Sequence, residues 1–206
     1  MLIRFRTAAP QDYTNFRYVI VFNTSGTGGE PLPQAALTGY QNYSFSFVVG
    51  GASGAVGLPQ LLQYYTQPGS SNGIQTIAIS VPPNLLQFVP NSGGNGAGGE
   101  FQIQFSRALL YGINPGGSPT PTAAPSAAPV PNPTTVAQQT WYINFITTDP
   151  SGTPIDSVGL GGATDTSFSA TFDTTQSLSN SYQKPVPSSL SNQAAVITGY
   201  QVINSP

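Results

Sequence analysis

The chain has 206 residues, of which only 6% are charged, five basic and seven acidic; it holds no histidine and no cysteine. An ordinary soluble domain carries about 25% charged residues, so this surface must be made of uncharged polar groups, glycine and proline. Without His and Cys, the usual ligands of zinc, copper, haem and iron–sulfur clusters are missing, as are His-based triads, thiol nucleophiles and disulfides. No cofactor is expected.

Taken in chain order, the first element is Leu2–Thr7, where Ile3 and Phe5 alternate with Arg4 and Arg6. Alternation continues in 16–22, where Phe16, Tyr18, Ile20 and Phe22 share a face, and in 43–49, where Tyr43, Phe45, Phe47 and Val49 oppose Ser44, Ser46 and Val48. This period of two marks half-buried strands. Segments 61–66, 74–81, 85–89, 101–110, 139–147, 167–172 and 196–203 read alike, and no window sustains the i, i+3, i+4, i+7 spacing of an amphipathic helix. Between the strands, 24–29, 50–57, 68–73, 91–99 and 149–162 are Gly/Pro/Asn/Ser clusters with turn chemistry. The fold expected is all-β, an antiparallel β-sandwich or jelly roll with long Gly/Pro-rich loops. Residues 114–135 hold seven prolines among Ser, Thr and Ala and read as polyproline II. Either they link two domains or they make a surface excursion within one; a single domain over 1–206 with an excursion at 114–135 is the expectation.

The five cations, Arg4, Arg6, Arg17, Arg107 and Lys184, are too few and scattered to neutralise a phosphate backbone, so no nucleic-acid partner is expected. Apolar runs such as Tyr18–Phe22 fall far short of the roughly 18 residues that span a bilayer, so no membrane span is expected either. The first residues lack the apolar core of a secretory signal. An extracellular or cell-surface location is nevertheless expected from the low-charge, Ser/Thr/Asn/Gln/Gly-rich composition.

Carboxylates are the main acid–base groups left: Asp12, Glu30, Glu100, Asp149, Asp156, Asp165 and Asp173. Glu30 and Glu100 each follow a Gly-rich turn and would make a glycosidase pair if they met across a cleft; the competing reading is two solvated turn residues. Asp149, Asp156 and Asp165 lie in an oxygen-rich stretch of the kind that holds calcium, against which stand plain Asx-turns, since the spacing is not that of an EF-hand. No metal is assigned. Trp141 alternates with Ile143 and Phe145 toward a core rather than a sugar platform, whereas Tyr64, Tyr65, Tyr40 and Tyr43 are the tyrosines expected at an exposed surface. Gly93–Gly99 lacks the Lys-Ser/Thr ending of a phosphate loop. Asn23-Thr24-Ser25 and Asn42-Tyr43-Ser44 fit the N-glycosylation acceptor pattern.

Monomeric β proteins protect sheet edges with charge, especially lysine, and this chain has one lysine. A Gln/Asn/Ser/Thr surface also loses little desolvation energy when buried between subunits. Leu2–Thr7 is either an ordinary first strand or a strand donated to a neighbouring subunit. The subunit-interface candidates are therefore Leu2, Ile3, Phe5, Tyr64 and Tyr65. In composition and strand rhythm the chain resembles secreted bacterial and archaeal β-sandwich filament and surface-layer subunits. That resemblance implies a non-enzymatic extracellular structural protein whose partner is itself, assembling into a filament, sheath or surface lattice. The alternatives are a carbohydrate-binding or adhesive module for surface glycans, and a viral capsid or tail component.

Overall fold

The computed structural model describes residues 1–24, 43–51, 58–66, 74–90, 98–111, 140–159, 170–184 and 191–205. Strands β1 (Leu2–Thr7), β7 (Gly99–Phe105), β6 (Leu86–Val89), β12 (Ile197–Asn204) and β11 (Leu178–Gln183) form a five-stranded antiparallel sheet in the order β11-β12-β1-β7-β6. The other sheet runs β10-β8-β2-β3-β4-β5, built from β10 (Ala170–Asp173), β8 (Thr140–Thr148), β2 (Arg17–Asn23), β3 (Phe45–Gly50), β4 (Gln60–Thr66) and β5 (Ile74–Ile79). Its seventh strand, β9 (Pro154–Ser157), pairs with β8. The fold is all-β, two antiparallel sheets packed face to face. Strands from before and after 114–135 share both sheets, β8 pairing with β2 and β12 with β1. The Pro-rich segment itself lies outside the described residues.

Alternation does its work first in β1, where Ile3 and Phe5 are fully buried and Arg4 and Arg6 face out. Phe5 stacks on Phe101 of β7 at 5.0 Å and meets Tyr18 of β2 edge-on at 5.7 Å. Phe105 of β7 packs on Phe47 of β3 at 4.8 Å, and Tyr200 of β12 stacks on Phe145 of β8 at 4.3 Å. These ring pairs fix how the sheets overlie each other: β12 over β8, β1 over β2, β7 over β2 and β3. Two flanks follow, with β11, β9 and β10 on one and β6 and β5 on the other.

The second sheet departs from the half-buried pattern, because β2 is buried on both faces. Tyr18, Ile20 and Phe22 enter the inter-sheet core, while Val19 and Val21 join Tyr43, Tyr64 and Ile146 in a smaller cluster on the outer face. A near-continuous apolar run is what a strand covered on both sides requires. Tyr43 also leaves the face expected of it: the chain is irregular at Ser44, β3 starts at Phe45, and Tyr43 lies with the outer cluster rather than with Phe45, Phe47 and Val49.

Three further expectations are corrected. The strand expected over 101–110 stops at Phe105, and Arg107–Tyr111 forms a 3-10 turn that buries Leu109 and Leu110. Strand β9 lies inside 149–162, which reads as turn chemistry alone. Strand β11 was not expected, since Leu178-Ser179-Asn180-Ser181-Tyr182-Gln183 is almost wholly polar; its pairing with β12 supplies the order that its side chains do not. At the end of β3, Gly50 has φ +85°, and a Cβ there would meet the Phe16 carbonyl oxygen at 2.6 Å, so only glycine fits.

Candidate functional site

The carboxylates of the proposed calcium loop serve separate structural tasks. Asp156 is buried on β9, where Oδ1 accepts from Lys184 Nζ at 2.6 Å and from the Ser157 N–H at 2.9 Å, and Oδ2 accepts from the Ile197 N–H at 2.8 Å. Asp149 instead closes a local turn, accepting from the Thr153 N–H at 2.8 Å and the Ser151 hydroxyl at 2.6 Å. The Ser151 hydrogen bond, the larger cause, with the turn's backbone donors, holds the Asp149 carboxyl below its ordinary range. Asp165 lies outside the described residues. Among the described residues no three His, Cys, Asp or Glu side chains gather as a metal site.

Glu100 is no turn residue. It lies on β7, directly opposite Arg6 of β1, and its Oε2 accepts from Arg6 Nε at 2.7 Å. Glu30, its suggested catalytic partner, is outside the described residues, as are Tyr40 and Gly93–Ala97.

The tyrosines expected at an exposed surface are corrected in part. Tyr64 is buried in the outer-face cluster, its hydroxyl 2.8 Å from Ser46 Oγ, and Tyr43 is fully buried beside it. Tyr65 lies on β4 opposite Gln75. Trp141, Ile143 and Phe145 lie in the inter-sheet core, with Trp141 edge-on to Phe172 at 5.9 Å. Among the subunit-interface candidates, Ile3 and Phe5 are core residues and Leu2 is half-buried on the outer face, because β1 is held on both sides by strands of its own chain. Among the described residues the large aromatic that is exposed is Tyr182 of β11, 41% exposed, stacked on Tyr200, which stacks in turn on Phe145.

Among the described residues three surfaces stand out as places where another molecule can be met. The first is the outer face of the five-stranded sheet, where Ser181, Gln201, Arg4 and Gln102 form one cross-strand row and Gln183, Gly199, Arg6 and Glu100 the next. Arg4 donates to Gln201 Oε1 at 3.0 Å and to Gln102 Oε1 at 3.4 Å, so its guanidinium is held between two amides. The second is a groove of about 550 Å³ at β6, lined by Asn84, Gln87, Gln104 and Ser106 with apolar neighbours such as Pro83 and Leu85; no charged residue lines it.

The third surface is the pair of sheet edges formed by β5 and β11. Each is six residues long, ends its sheet, and contains neither a charged residue nor a proline. Among the described residues the other sheet ends are guarded. Strand β6 has four residues between Pro82-Pro83 and Pro90, β10 has four and ends on Asp173, and β9 has four and starts at Pro154. Shortness, proline and charge are the usual devices against edge-to-edge pairing, and within their own six residues β5 and β11 lack all three, although Lys184 follows β11 directly and Pro82 lies three residues past β5. Of the two large apolar side chains that are exposed among the described residues, Tyr182 lies on the β11 edge and Leu58 two residues before β4.

Sequence reasoning found the shortage of edge charge but not the strands concerned. Lys184 carried a signal in being the chain's single lysine, whereas Tyr182 and Gly199 carried none that local pattern could expose. No family model, curated protein or solved structure matches this chain.

Proposed function

We propose that the protein is a non-enzymatic structural subunit that self-assembles outside the cell into a filament, sheath or surface lattice. The observation that carries this reading is the pair of full-length, uncharged, proline-free edge strands, β5 and β11, in a molecule whose other sheet ends are short or guarded. An edge strand presents a row of backbone donors and acceptors to whatever chain approaches. With 6% charged residues and a net charge of −2, the chain has little like-charge repulsion to keep copies apart. Negative-stain electron microscopy and light scattering across protein concentration test the proposal. Regular fibres or sheets are expected, and a monodisperse monomer at every concentration overturns it.

A second reading, a module that binds surface glycans, is favoured by the neutral groove at β6. Amide and hydroxyl groups beside an apolar wall suit sugar hydroxyls and ring faces; Asn84, Gln87, Gln104 and Ser106 supply the polar groups and Pro83 and Leu85 the apolar ones. A glycan array separates the readings: saturable binding that is lost in Gln87→Ala supports the module.

A further inference from the structure

Resting on the self-assembly reading, the geometry points to the contact itself: we infer that β5 of one copy adds to β11 of the next, joining the second sheet of one molecule to the first sheet of its neighbour. The two edges lie on opposite flanks of the sandwich, since β11 extends the first sheet beyond β12, which overlies β8, while β5 extends the second sheet beyond β4 on the far side. A contact between two different surfaces on opposite flanks leaves one of each free after every addition. Unless the rotation closes a ring, it propagates.

Side-chain chemistry favours unlike over like pairing. Strand β5 is Ile74-Gln75-Thr76-Ile77-Ala78-Ile79, rich in β-branched residues, with Ile79 packed against the core. Strand β11 is polar except for Leu178 and Tyr182, and Tyr182 shares the core-side row of its sheet with Tyr200. Adding β5 to β11 with the face of Ile77 and Ile79 on the Tyr182 side lets one of these isoleucines extend the row that ends in Tyr182, an aromatic with β-branched pairing that is among the favourable cross-strand combinations. Two β11 strands together would set Ser and Asn opposite Ser and Asn and leave Tyr182 without such a partner. Matching length adds to this: six residues on each edge give a full ladder with no overhang.

The test uses the full chain and two single substitutions at exposed positions, Thr76→Lys on β5 and Ser181→Lys on β11, each followed by sedimentation velocity and electron microscopy. Each variant alone is expected to stay monomeric while wild type assembles. An equimolar mixture is expected to give 1:1 dimers and nothing longer, because one copy keeps β11 and the other keeps β5. Dimers of either variant alone would overturn the inference in favour of like-edge pairing, and a mixture that stays monomeric would overturn it as well. Filaments from either variant at wild-type concentration would place the contact elsewhere and leave self-assembly standing. A wild type that never assembles would remove the self-assembly reading and this contact with it. Should either variant melt early, Ala78→Lys and Ser179→Lys, also exposed, repeat the test on the same two strands.

Discussion

Lys184 Nζ lies 2.6 Å from Asp156 Oδ1, and this contact fastens the end of β11 in one sheet to β9 in the other. Lys184 also accepts a backbone tether, its N–H donating to the Thr198 carbonyl at 2.7 Å, so the edge strand is held from two directions. Asp156 has more to lose than Lys184, because its buried carboxylate also satisfies the N–H groups of Ser157 and Ile197. Removing one partner of a buried ion pair costs about 3–5 kcal/mol. Asp156→Ala is therefore expected to destabilise by about 3 kcal/mol, and Lys184→Met, at a side chain 24% exposed, by less. Urea unfolding of the two variants checks the order, and an equal or larger loss in Lys184→Met would refute it.

Tyr13 and Tyr18 meet edge-on at 5.5 Å with opposite hydrogen-bonding states. The Tyr18 hydroxyl accepts from the Asp12 N–H at 2.8 Å and donates to the Ala194 carbonyl at 3.1 Å, whereas the buried Tyr13 hydroxyl has no hydrogen-bond partner among the described residues. Tyr18→Phe should cost about 1–2 kcal/mol, and Tyr13→Phe should cost nothing or stabilise slightly. Burial raises both phenol pKa values well above the ordinary 10. Their contribution is then complete below about pH 10 and lost as pH rises further, because the unfolded chain releases the protons first. Unfolding free energy measured at pH 8 and pH 11 should fall less in Tyr13→Phe than in wild type; an identical fall would contradict this account.

Gly199 of β12 pairs with Gln183 at the end of β11. A Cβ on residue 199 would clash with the Tyr182 carbonyl oxygen, a backbone atom that cannot move without breaking the β11–β12 ladder. Overpacking of this kind costs about 1–3 kcal/mol, so Gly199→Ala is expected to lose that much. Amide hydrogen exchange is expected to accelerate across Leu178–Gln183 more than in β1, and a uniform change over the fold would show that the strain is not local.

How far local pattern reached can be followed strand by strand. Phe47 and Val49, and Trp141, Ile143 and Phe145, were assignable to a core because alternation in an extended chain puts every second side chain on one face; it also set Ile3 and Phe5 on one face, but not whether that face met the chain's own core or a neighbouring subunit. The same rule failed for Val19 and Val21, whose burial depends on what covers the outer face, and for Tyr64, whose ring joins them there. It failed for β11 because Ser, Asn and Gln do not form a strand on their own account and need a paired neighbour. The candidate carboxylates were legible as residues but not as partners: Asp156 with Lys184 are 28 positions apart, and Glu100 with Arg6 are 94 apart.

By itself, then, the sequence determined the all-β class, the neutral surface and the shortage of charge available to guard sheet edges, all of which follow from residue types and short-range periodicity. Only the tertiary structure decided which strands end the sheets, that β5 and β11 lie on opposite flanks, and that β1 is central in its own sheet. The physical reason is that strand pairing is made by backbone hydrogen bonds, which are the same for every residue but proline. Which chain segments meet is chosen by burial summed over the whole molecule, and no local stretch contains that sum.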